Sequence, residues 1–209
     1  MVIARPAPGP LLTVMAHPDD AELWAGGTIA RYTARGIPTI IAVPEHHDPV
    51  RNREAAAGAA ILGATLYQYD ATAPDALAVL LRGTKPEIVI THPLRDMHAD
   101  HRHLAEKLLA AVPDVVIATG RPHRVYTCDT YNSLTLDGPV PAHTTLDVTD
   151  TQPVKMRALT AHRSQPVDTH FARMAATLSR LWGARIGTSY AENFVPVPVL
   201  GRLPAASGL

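Results

Sequence analysis

Cysteine is almost absent from this sequence, since Cys128 is the only one among 209 residues. A lone cysteine cannot form an internal disulfide, so a disulfide-stabilised scaffold is excluded and a reducing compartment is expected. We expect Cys128 to act as a small buried hydrophobic residue in the strand that its neighbours predict.

The sequence also lacks an excess of charge of either sign and any long apolar run. Lys plus Arg and Asp plus Glu number 19 each, so the formal net charge is zero. Nucleic-acid and membrane-surface binding normally need a basic excess, and the sequence therefore predicts neither. No apolar run approaches the roughly 18 residues of a membrane span, and residues 1–10 lack the apolar segment of a secretory signal. We expect a cytoplasmic protein.

The composition indicates one globular domain. Hydrophobic residues make up 46% and charged residues 18% of the chain, which is too apolar for disorder. A chain of this length suffices for one well-buried core. We predict a single domain over residues 1–209, with a flexible, proline-rich lead-in at residues 1–10.

Strand-like and helix-like stretches alternate through about the first 120 residues, which predicts βαβ units and a parallel sheet. The predicted strands are residues 11–16, 39–43, 65–69, 87–91 and 115–118. Strand-like runs and two helices follow, and the Val-Pro alternation of residues 194–200 predicts at best an edge strand. The predicted fold class is α/β, a Rossmann-like three-layer α/β/α arrangement with a mainly parallel sheet and a smaller C-terminal β-plus-helix extension.

Two clusters of His and Asp directly follow predicted strands, and ligands bind at this edge of open parallel sheets. The clusters are His17-Pro18-Asp19-Asp20 and His98-Ala99-Asp100-His101. Two imidazoles and one carboxylate, from His17, Asp20 and His101, leave one position of a tetrahedral metal open. This is the layout of a catalytic zinc site.

The other polar residues of the two clusters are predicted to be catalytic. A divalent metal lowers the pKa of a water molecule to about 7, and Asp19, which points away from Asp20, is predicted to accept its proton. His98 is predicted to stabilise the developing oxyanion or to protonate the leaving amine. Asp100 is predicted to orient a histidine and fix its tautomer.

Other interpretations of these residues stay open. The first cluster alone can be a turn that caps a helix, and the second can be a solvated helix start. Two His and one carboxylate also describe a non-haem Fe(II) oxygenase, although the alternation of strands and helices disfavours one. A non-catalytic sugar-binding module with a vestigial metal site is a further alternative. The donor set does not separate Zn²⁺ from Fe²⁺ or Co²⁺.

Several segments, in order along the chain, resemble the signatures of the PIG-L / LmbE-like metal-dependent deacetylases. The segments are Ala16-His17-Pro18-Asp19-Asp20-Ala21-Glu22, Arg51-Asn52-Arg53-Glu54, His98-Ala99-Asp100-His101, Ala161-His162-Arg163-Ser164-Gln165 and Tyr190-Ala191-Glu192-Asn193-Phe194. Ala99 stands where the family usually has proline, a change that spares every ligating group. Arg51 matches an arginine that contacts substrate in some members.

The resemblance implies zinc held by His17, Asp20 and His101, with Asp19 as the base and His98 as an acid or electrostatic partner. It also implies hydrolysis of an N-acyl group, usually acetyl from an N-acetylglucosamine unit. The sequence thus predicts a zinc-dependent hydrolase that uses metal-activated water on an N-acylated amino sugar or amino-sugar conjugate. Its partner is a small-molecule substrate, and a homo-oligomer is compatible with the sequence.

Overall fold

The structure, a computed structural model, describes residues 9–204. Its first part consists of β1 Leu11–Val14, α1 Asp20–Thr33, β2 Thr39–Pro44, α2 Pro49–Leu62, β3 Thr65–Tyr69, α3 Ala76–Thr84, β4 Ile88–Thr91, α4 Ala99–Thr119 and β5 Arg124–Thr127. Its second part consists of β6 Leu134–Thr135, β7 Gly138–Pro139, β8 Thr144–Asp147, α5 Gln152–Leu159, α6 Ala172–Ile186 and β9 Ala191–Val197. Most of the predicted lead-in at residues 1–10 lies outside the described residues.

Seven strands form one sheet in the order β3-β2-β1-β4-β5-β9-β8. The first five are parallel, and β9 and β8 extend the sheet with antiparallel pairings. Helices α1, α5 and α6 pack on one face, and α3 and α4 pack on the other. The predicted three-layer α/β/α fold is thereby confirmed. Within residues 9–204, no helix combines the length and apolar character that a membrane span requires.

The strand order reverses between β1 and β4, which are hydrogen-bonded neighbours. The chain leaves β1 toward β2 on one side and leaves β4 toward β5 on the other. The loops after the two strands therefore diverge and leave a crevice at the carboxyl edge of the sheet. Both predicted polar clusters lie in these two loops.

The predicted strand at residues 115–118 is wrong, because this segment is the last part of α4. Leu104, Leu108, Val112 and Val115 are all buried, with spacings of four, four and three residues. This helical apolar stripe continues past Pro113, which lies inside the helix. Packing of the stripe against the core offsets the hydrogen bond that proline cannot donate.

The edge strand predicted within residues 194–200 forms the second half of β9, which lies between β5 and β8 in the strand order. Residues 191–194 pair with β8, and residues 195–197 pair with β5. Pro196 thus lies in the half of β9 that has a strand on one side only. A proline is tolerated there because its missing N–H does not interrupt a second ladder.

A buried carboxylate joins α1, α5 and β9. Glu192 accepts hydrogen bonds from the backbone N–H groups of Gly27 (2.9 Å) and Thr28 (2.8 Å) and from Lys155 Nζ (2.7 Å). The side chains of Lys155 and Glu192 are each only 3% exposed. A Cβ at Gly27 would lie 2.7 Å from Val148 Cβ, so glycine permits the close approach of α1. This contact fixes the helix that begins at the candidate site.

Candidate metal centre and active site

The loop after β1 holds Asp20 in place from both of its carboxylate oxygens. The backbone N–H of His17 donates to Asp20 Oδ2 (2.8 Å), and the Trp24 indole N–H donates to Asp20 Oδ1 (3.3 Å). Trp24 lies one turn further along α1, so the helix itself supplies this second donor. These local donors thus help to orient the Asp20 carboxylate, which is buried.

Three side-chain atoms form a nearly equilateral triangle in the crevice. His17 Nδ1 lies 3.1 Å from Asp20 Oδ2 and 3.2 Å from His101 Nε2, and the distance from His101 Nε2 to Asp20 Oδ2 is 3.3 Å. Ligands about 2.1 Å from a tetrahedral zinc ion lie about 3.4 Å from one another. The triangle of two imidazole nitrogens and one carboxylate oxygen thus fits three corners of a zinc site.

Two buried residues of the β4–α4 segment, His92 and Asp96, were missed from the sequence. The His92 ring stacks on His101 with centroids 3.7 Å apart, and its Nε2 accepts the Ala16 N–H (3.0 Å). That lone pair is therefore already engaged, although His92 Nε2 is also 3.3 Å from Asp20 Oδ2. Asp96 Oδ2 lies 3.1 Å from His101 Nδ1, which favours a proton on Nδ1 and leaves Nε2 for a metal.

The charge distribution favours a cation between these groups. Burial opposes the charged form of His101, but the carboxylates of Asp20 and Asp96 raise its pKa to about 10. Burial likewise opposes the charged form of Asp20, but His92 and His101 hold its pKa well below its usual range. Positive charge is thus stabilised at the triangle, and a divalent cation would provide it.

Asp19 directly precedes Asp20, and its carboxylate contacts Arg51 of α2. Arg51 Nη2 donates to Asp19 Oδ1 (3.0 Å), and the Asp19 side chain is only 8% exposed. Burial and the adjacent Asp20 raise the pKa of Asp19, while Arg51 opposes that shift. A carboxylate with a raised pKa is suited to proton transfer near neutral pH. The buried Nε of Arg51 has no hydrogen-bond partner within the described part of the chain.

His98 directly precedes α4 as its N-cap residue, and its ring lies beside those of His17 and His101. Its Nδ1 accepts the backbone N–H of Asp100 (3.2 Å), so the ring proton is on Nε2, which is left as a donor. Its ring centroid is 4.8 Å from that of His17 and 4.7 Å from that of His101. Burial and these two histidines lower the pKa of His98, which favours a neutral donor.

Asp100 is the most exposed of the predicted site residues, with 64% of its side chain accessible. Its Oδ2 lies 3.4 Å from His17 Nε2, whereas Asp96 contacts His101. The structure thus brings all seven predicted site residues together, with Asp96 and His92 added. The sequence does contain an indication for His92, because this residue comes directly after the strand-like run that forms β4, just as the first cluster comes after β1.

A large open cleft of about 1000 Å³ extends from the crevice along the groove between α3 and α4. Its inner end includes His17, Arg51 and Asp100. Its apolar walls are Ala76, Leu77, Ala78, Leu104, Ala110 and Ala111. The twelve residues of α4 from Asp100 to Ala111 span about 16 Å. This volume lies at the upper end of the range for small-molecule sites.

Residues 12–112 match the sequence model of the PIG-L family, described as GlcNAc-PI de-N-acetylase. The 1D-myo-inositol 2-acetamido-2-deoxy-alpha-D-glucopyranoside deacetylase 1 of Saccharopolyspora erythraea is 63% identical over 35 residues, which are 17% of this chain and 12% of the relative. The deacetylase of Actinosynnema mirum with the same substrate name is 68% identical over 31 residues, 15% of this chain and 11% of the relative. The matched segments therefore span about an eighth of the length of these relatives.

Solved structures share the fold over nearly the whole chain. A conserved protein from Thermus thermophilus has a TM-score of 0.78 and 27% identity, covering 90% of this chain and 95% of that one. N,N'-diacetylchitobiose deacetylase from Pyrococcus horikoshii has a TM-score of 0.72 and 22% identity, with coverages of 92% and 85%. GalB, the 4-carboxy-2-hydroxymuconate hydratase from Pseudomonas putida, has a TM-score of 0.77 and 21% identity, with coverages of 96% and 99%.

A deacetylase and a hydratase thus share this architecture, so the fold alone does not specify the reaction. The match over residues 12–112 is more specific, because it includes both polar clusters and the helix that carries Arg51. Residues 12–112 of this chain are therefore similar to the PIG-L family, and the rest of the chain shares the fold of the solved structures.

Proposed function

We propose that this chain is a zinc-dependent amidohydrolase that removes an N-acyl group, with acetyl the first candidate, from an amino-sugar conjugate. The observation that carries the proposal is the triangle of His17, Asp20 and His101, together with the buried carboxylate of Asp19, the residue that directly precedes Asp20. The family description and the names of the matched relatives, which are deacetylases of an acetamido sugar, support the reaction class.

Each residue has a distinct part in the proposed reaction. Zinc bound by the triangle would supply a Lewis acid for the water and the amide carbonyl, and Fe²⁺ or Co²⁺ suits the same donors. Asp19, oriented by Arg51, accepts the proton of the attacking water and passes it to the leaving amine. His98 donates from Nε2 to the oxyanion that develops on the amide oxygen. The products are a carboxylic acid and a free amino sugar.

The large cleft supports a conjugate as the substrate rather than a free monosaccharide. The acylated amine must reach His17 at the inner end, so the rest of the substrate extends into the groove between α3 and α4. Alanine and leucine side chains line the groove together with polar residues such as His103 and Lys107. The alanine and leucine side chains suit an aglycone with apolar surface.

Acetate release is the direct test of the proposed reaction. We expect the protein to release acetate and free amine in equal amounts from at least one member of a panel of N-acetylglucosaminides. A chelator such as 1,10-phenanthroline should abolish the release, and added Zn²⁺ should restore it. Failure to release any carboxylic acid with Zn²⁺, Fe²⁺ or Co²⁺ would contradict the proposal. Oxygen consumption that depends on a 2-oxo acid would support the oxygenase alternative.

Narrowing the outer part of the cleft should raise KM for conjugates but not for the free sugar. Ala110 is exposed on α4 at the outer part of the cleft, so Ala110→Trp fills the groove without disturbing the core. We expect KM to rise about tenfold or more for glycosides with a bulky aglycone, which corresponds to losing about 1.4 kcal/mol of binding. KM for free N-acetylglucosamine should stay unchanged.

Ala118→Trp is the matched control, because Ala118 is exposed on the same helix outside the cleft. It should leave both KM values at the wild-type level. Equal KM values for Ala110→Trp and wild type on the bulky glycosides would mean that the aglycone lies elsewhere.

A further inference from the structure

Glu22 and His162 form a buried pair near the first polar cluster, and neither residue has a part in the mechanism above. Glu22 of α1 is 1% exposed and His162 is fully buried, with Glu22 Oε1 3.5 Å from His162 Nε2. Neither carboxylate oxygen and neither ring nitrogen has a hydrogen-bond partner among residues 9–204. Buried polar groups without close partners destabilise a fold, so their presence here calls for a physical reason.

The backbone of α2 passes unusually close to this pair. A Cβ on Gly58 would lie 2.2 Å from Glu22 Oε1 and 2.9 Å from His162 Nε2. Even alanine would therefore force the pair or the helix to move. Glycine is unfavourable inside a helix, and the dihedral angles of Gly58 do not require it. What glycine does at position 58 is allow the backbone of α2 to approach Glu22 and His162 closely.

The face of α2 that carries Gly58 also carries Arg51. The two residues are seven positions apart, which is two helical turns, and so they share one face. Arg51 donates to Asp19 Oδ1 at 3.0 Å. Between them Glu54 accepts hydrogen bonds from the N–H and the hydroxyl of Ser164, at 2.8 and 2.6 Å. One face of α2 thus contacts Asp19, the segment after α5, and the buried pair.

We propose that Glu22, His162 and Gly58 form a positioning unit that sets the separation of α1 and α2 and thereby the contact between Arg51 and Asp19. The two helices are joined at the pair by direct contact and at Asp19 by a hydrogen bond, two turns apart on α2. Movement of α2 away from the pair would displace the guanidinium that orients Asp19. The unit touches neither substrate nor metal. Its effect on turnover rests on the proposed function.

The test is Gly58→Ala, with Gly83→Ala as the matched control. Gly83 is also in a helix, but a Cβ there would meet nothing within 4 Å. We expect Gly58→Ala to lower kcat by on the order of 10- to 100-fold, since small displacements of a positioned group have effects of this size. KM, the bound zinc per chain and the far-UV circular dichroism should stay at wild-type values, and Gly83→Ala should match wild type throughout.

A second substitution tests the contact itself. Shortening Glu22 to aspartate withdraws the carboxylate from the added methyl group. The double variant Gly58→Ala/Glu22→Asp should therefore recover at least about threefold of the kcat that Gly58→Ala loses, because contacting residues couple. No recovery, a kcat of Gly58→Ala within twofold of wild type, or a loss of kcat that only follows a loss of zinc or folded protein would overturn the positioning role.

A crystal structure of Gly58→Ala separates this inference from the proposed function. We expect the distance from Arg51 Nη2 to Asp19 Oδ1 to exceed hydrogen-bonding range. An unchanged contact would overturn the inference even if the wild type hydrolyses amides. If the contact is broken but the wild type hydrolyses no amide, the structural coupling holds and the proposed function fails.

Discussion

Replacing Asp19 by asparagine is expected to lower kcat by about 10²- to 10⁴-fold while one zinc ion per chain stays bound. Asparagine has nearly the same shape, and its amide oxygen can still accept the Arg51 hydrogen bond, but it cannot take a proton from water at neutral pH. None of the three atoms of the triangle is altered. Turnover is measured by acetate release, and metal content by inductively coupled plasma mass spectrometry.

His101→Ala provides the contrast. It removes one corner of the triangle and one partner of the Asp20 carboxylate, so both bound zinc and turnover should be lost. Wild-type turnover in Asp19→Asn would show that Asp19 is not the base. One bound zinc ion per chain in His101→Ala would show that His101 is not a ligand of the metal.

Lys155→Met is expected to lower the free energy of unfolding by about 3–5 kcal/mol, because it leaves a buried carboxylate without its cation. Glu192 would keep only the two N–H donors from α1. Methionine approximates the length of the lysine side chain, which packs against Gly26, so the loss of volume is small. Urea unfolding followed by circular dichroism at neutral pH measures the change.

The exposed pair of Arg95 and Asp137 is the matched control, with side chains 58% and 63% accessible. Arg95→Ala should change the free energy of unfolding by no more than about 1 kcal/mol, because solvent screens the pair. If Lys155→Met cost no more than this control, the buried pair would not be the contact that fixes α1. The position of α1 matters to the site because this helix begins at Asp20.

The sequence by itself was sufficient to predict the meeting of the two polar clusters. His17 and His101 are 84 positions apart, yet both are near the ends of strand-like runs in an alternating strand–helix pattern. In a parallel sheet all carboxyl ends lie at one edge, so the pattern already restricts where such residues can be. Asp19 and Asp20 diverge because adjacent residues at a helix start point in different directions, which also depends on local geometry alone.

Other features depended on contacts that no local pattern encodes. The stripe that extends α4 past Pro113 is stable because it packs on the sheet, and local propensity at proline predicts the opposite. Whether β9 lies at the edge or inside the sheet depends on where β8 pairs. The long-range partners Glu22–His162 and Lys155–Glu192 come from different elements, and only the packed chain brings them together.

What the sequence determined is which polar residues make up the two clusters and at which edge of the sheet they lie, because the alternating strand–helix pattern predicts parallel strands whose carboxyl ends share one edge. What only the tertiary structure decided is how each donor is held. Tautomers, carboxylate orientation and the separation of α1 from α2 depend on distances of a few tenths of an ångström. Such distances are fixed by packing between elements that are far apart in the chain.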